Sequence, residues 1–329
     1  MGRMLRAKMM YPFYDAVAED FAAVDQLVKE NLSSNVPLVE EISAYLMEAG
    51  GKRLRPLLVL LCAKACGYSG KDHIKLAAII EFLHTAMLLH DDVVDDSNLR
   101  RGRATVNATW GNNASILVGD FLHSRAFEML VEIGDIRVME ILSHATNTIA
   151  EGEVQQLGYV RNPDTPEDTY SEVIFRKTAM LFQAASHSGT ALAGADENIE
   201  DALRDFGLHL GMAFQLVDDL LDYKGSTEDL GKNVGDDLAE GKVTLPLIIA
   251  IRNGDDQQRA YIKNAILSGG IDNLDEIIDT VQSTGGLQYT EDYAHRERDK
   301  ARQCLDKIDQ SAYRDSMSDM LNFVISRSN

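Results

Sequence analysis

Apolar residues recur at spacings of three and four through most of the 329-residue chain, and runs that alternate apolar with polar positions are scarce. This pattern predicts helices over residues 14–32, 36–49, 54–66, 73–97, 112–133, 136–158, 167–194, 196–224, 242–252, 256–268, 272–283, 287–308 and 311–326. The breaks fall at Gly50-Gly51, Gly67-Tyr68-Ser69-Gly70, Arg101-Gly102, Asn162-Pro163-Asp164-Thr165-Pro166, Gly225-Ser226 and Gly269-Gly270, residues that end or interrupt helices. None is a long linker, and no sequence repeat of solenoid type runs through the chain. The expected fold is all-α, a single helical bundle with 73–97 and 196–224 among its central helices.

Composition agrees with that reading. Hydrophobic residues make up 45% of the chain, enough for a substantial core, and only 6 prolines interrupt it. Alanine and straight-chain residues lose little rotamer freedom in a helix, which favours helix over sheet here. No run of 18 uninterrupted apolar residues occurs, so no segment is expected to span a bilayer. The opening MGRMLRAKMM is basic but leads into Tyr11-Pro12 and acidic residues, not an apolar signal core; the cytoplasm is the expected location. Cys62, Cys66 and Cys304 are odd in number, and the first two lie at i,i+4 within the apolar stretch LLVLLCAKAC. Buried free thiols are expected, not a zinc site or a disulfide framework.

A formal charge of −20 argues against nucleic acid and anionic membrane surfaces as general partners. An anionic substrate would need local cations or bound metal. Asp91-Asp92-Val93-Val94-Asp95-Asp96 crowds carboxylates at the end of the helix EFLHTAMLLH. Helical spacing puts Asp91 and Asp95 on one face, where like charges destabilise the helix unless a cation compensates. A solvated acidic helix end is the plain alternative. That alternative weakens because Asp218-Asp219-Leu220-Leu221-Asp222 repeats the DDxxD pattern inside the apolar segment MAFQLVDDLLDY. Carboxylate oxygens are hard ligands suited to Mg²⁺, which takes one or two protein carboxylates plus water and substrate phosphate. Two facing Asp helices would bridge a diphosphate through shared ions.

Basic residues stand where such a substrate would need them. Gly50-Gly51-Lys52-Arg53-Leu54-Arg55-Pro56 places Lys52 and Arg55 on a loop entering a helix, a candidate anion site. It is not a P-loop, since Arg53 stands where that motif needs Ser or Thr. Arg100-Arg101-Gly102 follows the first Asp cluster, and Arg176-Lys177-Thr178 lies inside an apolar helical pattern. Gln215 precedes Asp218 by one turn on the same face; Lys232 and Lys242 form a cationic rim around the second cluster. His84 lies two helical turns before Asp91 and shares its face. Each of these alone reads as ordinary surface or core chemistry; the grouping favours a site.

Jointly these residues resemble the trans (head-to-tail) polyprenyl diphosphate synthases, the family that includes farnesyl, geranylgeranyl and octaprenyl diphosphate synthases. The resemblance runs from GGKRLRP through LLHDDVVDDSNLRRG, LVGDFL, EGEVQQL, FRKTAMLF and FQLVDDLLDY to LGKNVGDDLAEGKVTLPL. It implies one polyprenyl synthase domain over 1–329, with 1–10 a loosely ordered extension, built as antiparallel helices around a deep central cavity and paired as a homodimer. It also implies that Asp91, Asp92, Asp95, Asp218, Asp219 and Asp222 hold two or three Mg²⁺ ions around an allylic diphosphate, farnesyl diphosphate being the expected primer. Arg100, Lys177, Thr178, Gln215 and Lys232 would contact that substrate; Lys52, Arg55, His84 and Arg101 would bind isopentenyl diphosphate. Of these, Asp91, Asp95, Lys177, Thr178, Gln215 and Asp218 would carry catalysis. Gln215 and Thr178 dipoles would stabilise the allylic cation, with released diphosphate as the base.

Chain length should be set below the first Asp cluster. Ala86 and Met87 stand about one helical turn before Asp91. Where farnesyl-type members carry bulky aromatics, Ala86 leaves the passage open, implying a medium to long product, with C40 favoured, destined for quinone side chains and the membrane. Phe82, Leu83, Ile79 and the segment from Phe121 to Leu130 would form the wall, with Phe127, Met129 and Leu130 as candidates for the floor. Three rivals carry distinguishing features. A class I terpene cyclase would show an Asn/Ser/Glu second motif and no need for Lys52 and Arg55. A noncatalytic subunit of a heteromeric synthase is disfavoured by intact carboxylates, and a di-iron bundle, which expects Glu-x-x-His pairs, by metal clusters that are all Asp.

Overall fold

The computed structural model describes residues 11–224, 234–269 and 273–327. A 3₁₀ turn at Pro12–Val17 leads into α1 (Ala18–Asn31), α2 (Pro37–Ala49), α3 (Leu54–Ala65) and α4 (Asp72–Val94). A two-stranded hairpin follows, β1 (Leu99–Arg100) and β2 (Arg103–Ala104), then α5 (Val106–Trp110), α6 (Asn112–Ile133) and α7 (Ile136–Leu157). The remaining helices are α8 (Glu167–Ile174), α9 (Met180–Leu192), α10 (Glu197–Lys224), α11 (Asp236–Ala239), α12 (Leu245–Asn253), α13 (Asp256–Ser268), α14 (Leu274–Ser283), α15 (Gly286–Leu305) and α16 (Ala312–Ser326). The fold is all-α, as the periodicity predicts.

These residues divide into two compact units: one within Met1–Thr146, Leu181–Gly207 and Arg302–Met320, the other within Asn147–Met180, Leu208–Ala301 and Leu321–Asn329. In the first unit α4 is the axis, packing on α1, α3 and α6. It can hold that place because apolar residues surround it on every side: Leu76 to Ile80, Phe82, Leu83, Ala86 and Leu89 are all buried. Helix α3 buries the unbroken run Leu57 to Ala63. It approaches α9 so closely that a Cβ on Gly189 would lie 2.7 Å from the Val59 carbonyl oxygen. In the second unit, Leu216, Val217 and Leu220 of α10 share a core with Leu245, Leu247 and Ile249 of α12 and Ile262 and Ile266 of α13.

The structure departs from the predicted elements in several places, and at the ends of α4 and α12 the cause is local. Helix α4 stops at Val94, not 97, because Asp96 adopts a left-handed conformation (φ 50°). The amides of Asp96 and Ser97 then donate back to the Val93 and Asp92 carbonyls, closing the helix with a Schellman motif made by the acidic cluster itself. Within 167–194 a π turn at Phe175–Ala179 separates α8 from α9. Helix α12 begins at Leu245, not 242, since Pro246 favours the first turn and Thr244 is extended. Helix α15 ends at Leu305, three residues short of the expected 308. Cys62, Cys66 and Cys304 are free thiols; Cys62 and Cys304 are buried and Cys66 half-buried.

Gly189→Ala should destabilise the protein by about 1–3 kcal/mol, since forced overpacking against a helix backbone outweighs the roughly 1 kcal/mol that alanine gains in helix propensity. Denaturant unfolding of the variant measures the balance; a gain in stability would contradict the close approach of α3 and α9.

Candidate active site

In the first unit the acidic end of α4 and the cationic loop after α2 are joined by the hairpin. Arg101 and Gly102 at its tip both have positive φ (54° and 71°), the signature of a type I′ two-residue turn. For Arg101 this is a strained conformation, and it is held by a hydrogen bond from its guanidinium to the Gly50 carbonyl. The neighbouring Arg100 turns the other way: its Nε donates to Asp92 Oδ1 at 2.6 Å. Adjacent arginines thus connect the DDxxD motif to the Gly50–Gly51–Lys52 loop. Gly51 permits this, because a Cβ there would lie 2.6 Å from the Arg101 guanidinium.

The loop is anchored from below. The Tyr14 hydroxyl donates to the Lys52 carbonyl, and Arg53, itself left-handed at φ 48°, pairs with Asp25 and, at 3.5 Å, with Glu81. Arg53 therefore serves the loop, while Lys52 remains exposed and Arg55 half-buried. Arg55 Nη1 lies 3.3 Å from His84 Nε2. A guanidinium can only donate, so His84 Nε2 accepts and the ring proton sits on Nδ1. Protein encloses the ring on most sides, and that burial, then Arg55, Arg101 and Arg100, hold its pKa well below the ordinary value, so it is neutral. The predicted quartet Lys52, Arg55, His84 and Arg101 is gathered within this unit.

The three carboxylates of the first motif differ. Asp92 is buried; burial raises its pKa and Arg100 opposes the rise. Its backbone carbonyl also accepts from Asn107 Nδ2 at 3.1 Å, tying the motif to α5. Asp91 and Asp95 are half-exposed at the helix end. Below them Ala86, Met129 and Leu130 are buried, whereas Met87 and Phe127 are half-buried, the latter tilted against His123 with centroids 5.0 Å apart.

In the second unit a hydrogen-bonded chain converges on Asp219. Thr178 Oγ1 donates to Gln215 Oε1 at 2.7 Å, Gln215 Nε2 donates to Asp219 Oδ1 at 2.7 Å, and the Tyr170 hydroxyl donates to Asp219 Oδ2 at 2.5 Å. Gln215 therefore engages Asp219, one turn on, not the Asp218 that its spacing also allowed. Burial, and then Asp237, push Asp219 up to about 8. Asp222 is fully buried, and its Oδ2 accepts from the Asp237 amide at 3.3 Å. Half-exposed Asp218 accepts from Arg327 at 3.3 Å, and that guanidinium also lies 5.1 Å over the Phe214 ring. Lys177, on the π turn, donates to Glu153 at 2.7 Å and Gln156 at 2.9 Å. Lys242 bonds Glu240 at 2.6 Å, and Lys232 lies outside the described residues.

Tyr170, Asp237, Arg327, Glu153 and Gln156 are partners that residue-by-residue reading did not single out. Glu153 and Gln156 had a signal as parts of EGEVQQL, and Asp237 as part of LGKNVGDDLAEGKVTLPL; Tyr170 and Arg327 lie 49 and 109 residues from the aspartates they bond, and their types are common on any helix. Among the described residues no three His, Cys, Asp or Glu side chains converge as a closed metal cage. The donors nonetheless suit Mg²⁺: half-exposed Asp91, Asp95 and Asp218 offer hard oxygens, one or two per ion, with water and phosphate to complete the shell. No helix of the described residues is long and apolar enough to cross a membrane.

Tyr170→Phe removes one of two side-chain donors to a buried carboxylate, and the variant should lose about 1–3 kcal/mol of stability while keeping its helical content. Chemical unfolding followed by circular dichroism would test this; a loss under a few tenths would mean that Asp219 does not depend on the hydroxyl.

The sequence matches the family described as Polyprenyl synthetase over residues 36–281. The octaprenyl diphosphate synthase of Escherichia coli (strain K12) is 46% identical over 314 residues, covering 95% of this chain and 97% of that one. An all-trans-nonaprenyl-diphosphate synthase (geranyl-diphosphate specific) of Rhodobacter capsulatus is 48% identical over 312 residues, covering 94% and 96%. A polyprenyl synthase from Caulobacter crescentus CB15, solved with calcium and isoprenyl diphosphate, matches with a TM-score of 0.93 at 42% identity, covering 96% of this chain and 97% of that one. The fold is that of the all-α isoprenoid synthases, and the chain belongs to the polyprenyl synthetase family, prenyltransferases that condense isopentenyl diphosphate with an allylic diphosphate.

Proposed function

We propose that this chain is a magnesium-dependent octaprenyl diphosphate synthase that extends farnesyl diphosphate with isopentenyl units for quinone side chains. The observation that carries the site assignment is the hairpin, whose Arg100 contacts the DDxxD motif while Arg101 contacts the loop of Lys52. The octaprenyl product is supported by the Escherichia coli relative, and the small side chain of Ala86 fits it.

Asp91, Asp92, Asp95, Asp218, Asp219 and Asp222 hold two or three Mg²⁺ ions, which when bound neutralise charge on the leaving diphosphate. Arg100, Lys177 and Lys232 bind that group and stabilise it more as the allylic C–O bond breaks than before. Lys52, Arg55 and Arg101 orient isopentenyl diphosphate for attack through its double bond, with neutral His84 at the same position. The carbonyl of Gln215, turned by Asp219 away from its own amide, and the hydroxyl of Thr178 present dipoles to the allylic cation. The released diphosphate takes the proton that restores the alkene. Ala86 and Met87 line the upper passage for the growing chain, and Phe127, Met129 and Leu130 its lower end. The enzyme is one domain over 1–329, working as a cytoplasmic homodimer; Leu117 and Val131, 66% and 64% exposed on α6, supply apolar surface that supports pairing.

Purified chain alone, given Mg²⁺, isopentenyl diphosphate and farnesyl diphosphate, should form a C40 product by chromatographic sizing, and a chelator should abolish elongation. A C45 product would favour the nonaprenyl reading that the Rhodobacter capsulatus relative supports; no elongation without a partner protein would favour the noncatalytic subunit. Asp91→Asn should lower kcat on the order of 100-fold or more. Ala86→Tyr, with Met87→Phe as a milder companion, should shorten the product, and an unchanged product distribution in both folded variants would remove these residues from the chain-length role.

A further inference from the structure

Helix α7 carries a single glycine, Gly152, buried one turn before its end. Its backbone is ordinary helix, so no left-handed conformation requires a glycine, and the residue costs roughly 1 kcal/mol against alanine there. What requires it is the neighbouring chain. A Cβ on Gly152 would lie 2.6 Å from the Cβ of Arg176 and 3.3 Å from the Arg176 carbonyl carbon and the Lys177 nitrogen. Those atoms are backbone or fixed directly to it, so no side-chain rotation relieves the contact, and the facing turn itself would have to move.

The segment pressed on Gly152 is the π turn Phe175–Ala179. There the Met180 amide reaches back five residues to the Phe175 carbonyl, which adds one residue relative to an α-helix and re-aims the side chains of the turn. Arg176 leads outward to Glu151 at 3.1 Å and Glu172 at 2.7 Å. Lys177 Nζ turns instead to Glu153 and Gln156, which follow Gly152 on α7, and Thr178 Oγ1 reaches Gln215 on α10. All of these residues belong to the second unit. The positions of Lys177 and Thr178 therefore depend on how closely the turn lies on α7 at Gly152.

We infer that Gly152 is a positioning residue for prenyl transfer: its missing side chain seats the π turn and so sets where Lys177 and Thr178 meet the allylic substrate. The inference rests on the roles proposed above for those two residues. Gly152 touches no substrate and acts only through the turn. A displacement on the order of 1 Å at a group that orients the reacting substrate can cost about 100-fold in rate. Helix propensity works the other way and would by itself favour alanine. Isopentenyl diphosphate is assigned to Lys52, Arg55, His84 and Arg101 of the first unit, so its affinity should not follow a change at Gly152.

Three backgrounds isolate the contact: the parent, Arg176→Ala, which loses the guanidinium and its ion pairs but keeps Cβ, and Arg176→Gly, which loses Cβ as well. Adding Gly152→Ala to either of the first two should lower kcat on the order of 10- to 100-fold and raise KM for farnesyl diphosphate, with KM for isopentenyl diphosphate held within about twofold. Added to Arg176→Gly, the same change should cost less than about threefold in kcat, because the new methyl group then has room. Equal losses in all three backgrounds, no loss in any, or a parallel rise in both KM values would overturn the proposal. Should Gly152→Ala alone fail to fold by circular dichroism, the Gly152→Ala/Arg176→Gly pair must fold and turn over like Arg176→Gly, and a folded but inactive pair sinks the idea. Denaturant midpoints of the same set read the contact without any turnover, falling with Gly152→Ala in the first two backgrounds and not in the third. A parent chain that elongates nothing would remove the proposed function, and this role with it, while those midpoints show whether the seat itself is real.

Discussion

Buried negative charge has to be compensated close by, and much of the local architecture of this protein follows from that constraint. Each DDxxD motif sets carboxylates on a helix with an apolar face, where an unpaired charge would be costly. Asp92 is met by Arg100, Asp219 by Tyr170 and Gln215, Asp222 by the amide of Asp237, and Asp218 by Arg327. Each compensating group dictates something else in turn. Arg100 fixes the hairpin, Tyr170 fixes α8 against α10, and the Asp237 amide holds α11 against α10.

The compensation is arranged so that the motif carboxylates are unequal. Asp92, Asp219 and Asp222 are buried and serve as structural anchors as well as motif members, whereas Asp91, Asp95 and Asp218 are half-exposed. A site that must take up a charged substrate and release a charged product gains from this division. The buried members keep the helix ends in place, and the exposed ones remain accessible to ions and phosphate oxygens. The same economy governs the cationic side, where Arg53 holds the loop and leaves Lys52 and Arg55 directed to other contacts.

Much of this was legible in the residues themselves. The helices follow from a 3.6-residue period that needs no knowledge of neighbours, and their ends from glycine and proline, as at Pro246. The DDxxD motifs and GGKRLRP are equally local. Where reading failed, two conformations of similar local energy competed. Nothing in FRKTA marks a π turn, and Asp96 in a left-handed cap looks in sequence like one more helical aspartate. Gln215 could reach Asp218 or Asp219 by spacing alone, and Tyr170 decided between them by completing the shell of Asp219.

By itself the sequence determined the all-α class, the places of the acidic motifs and the charge that a ligand must bring, because periodicity, propensity and formal charge are properties of short segments. Tertiary structure alone decided which carboxylates are buried, which tautomer His84 holds, and that Arg100 and Arg101 serve different partners. Those outcomes depend on groups tens of residues away, and solvation and hydrogen bonding are settled only once the packed neighbours have displaced water.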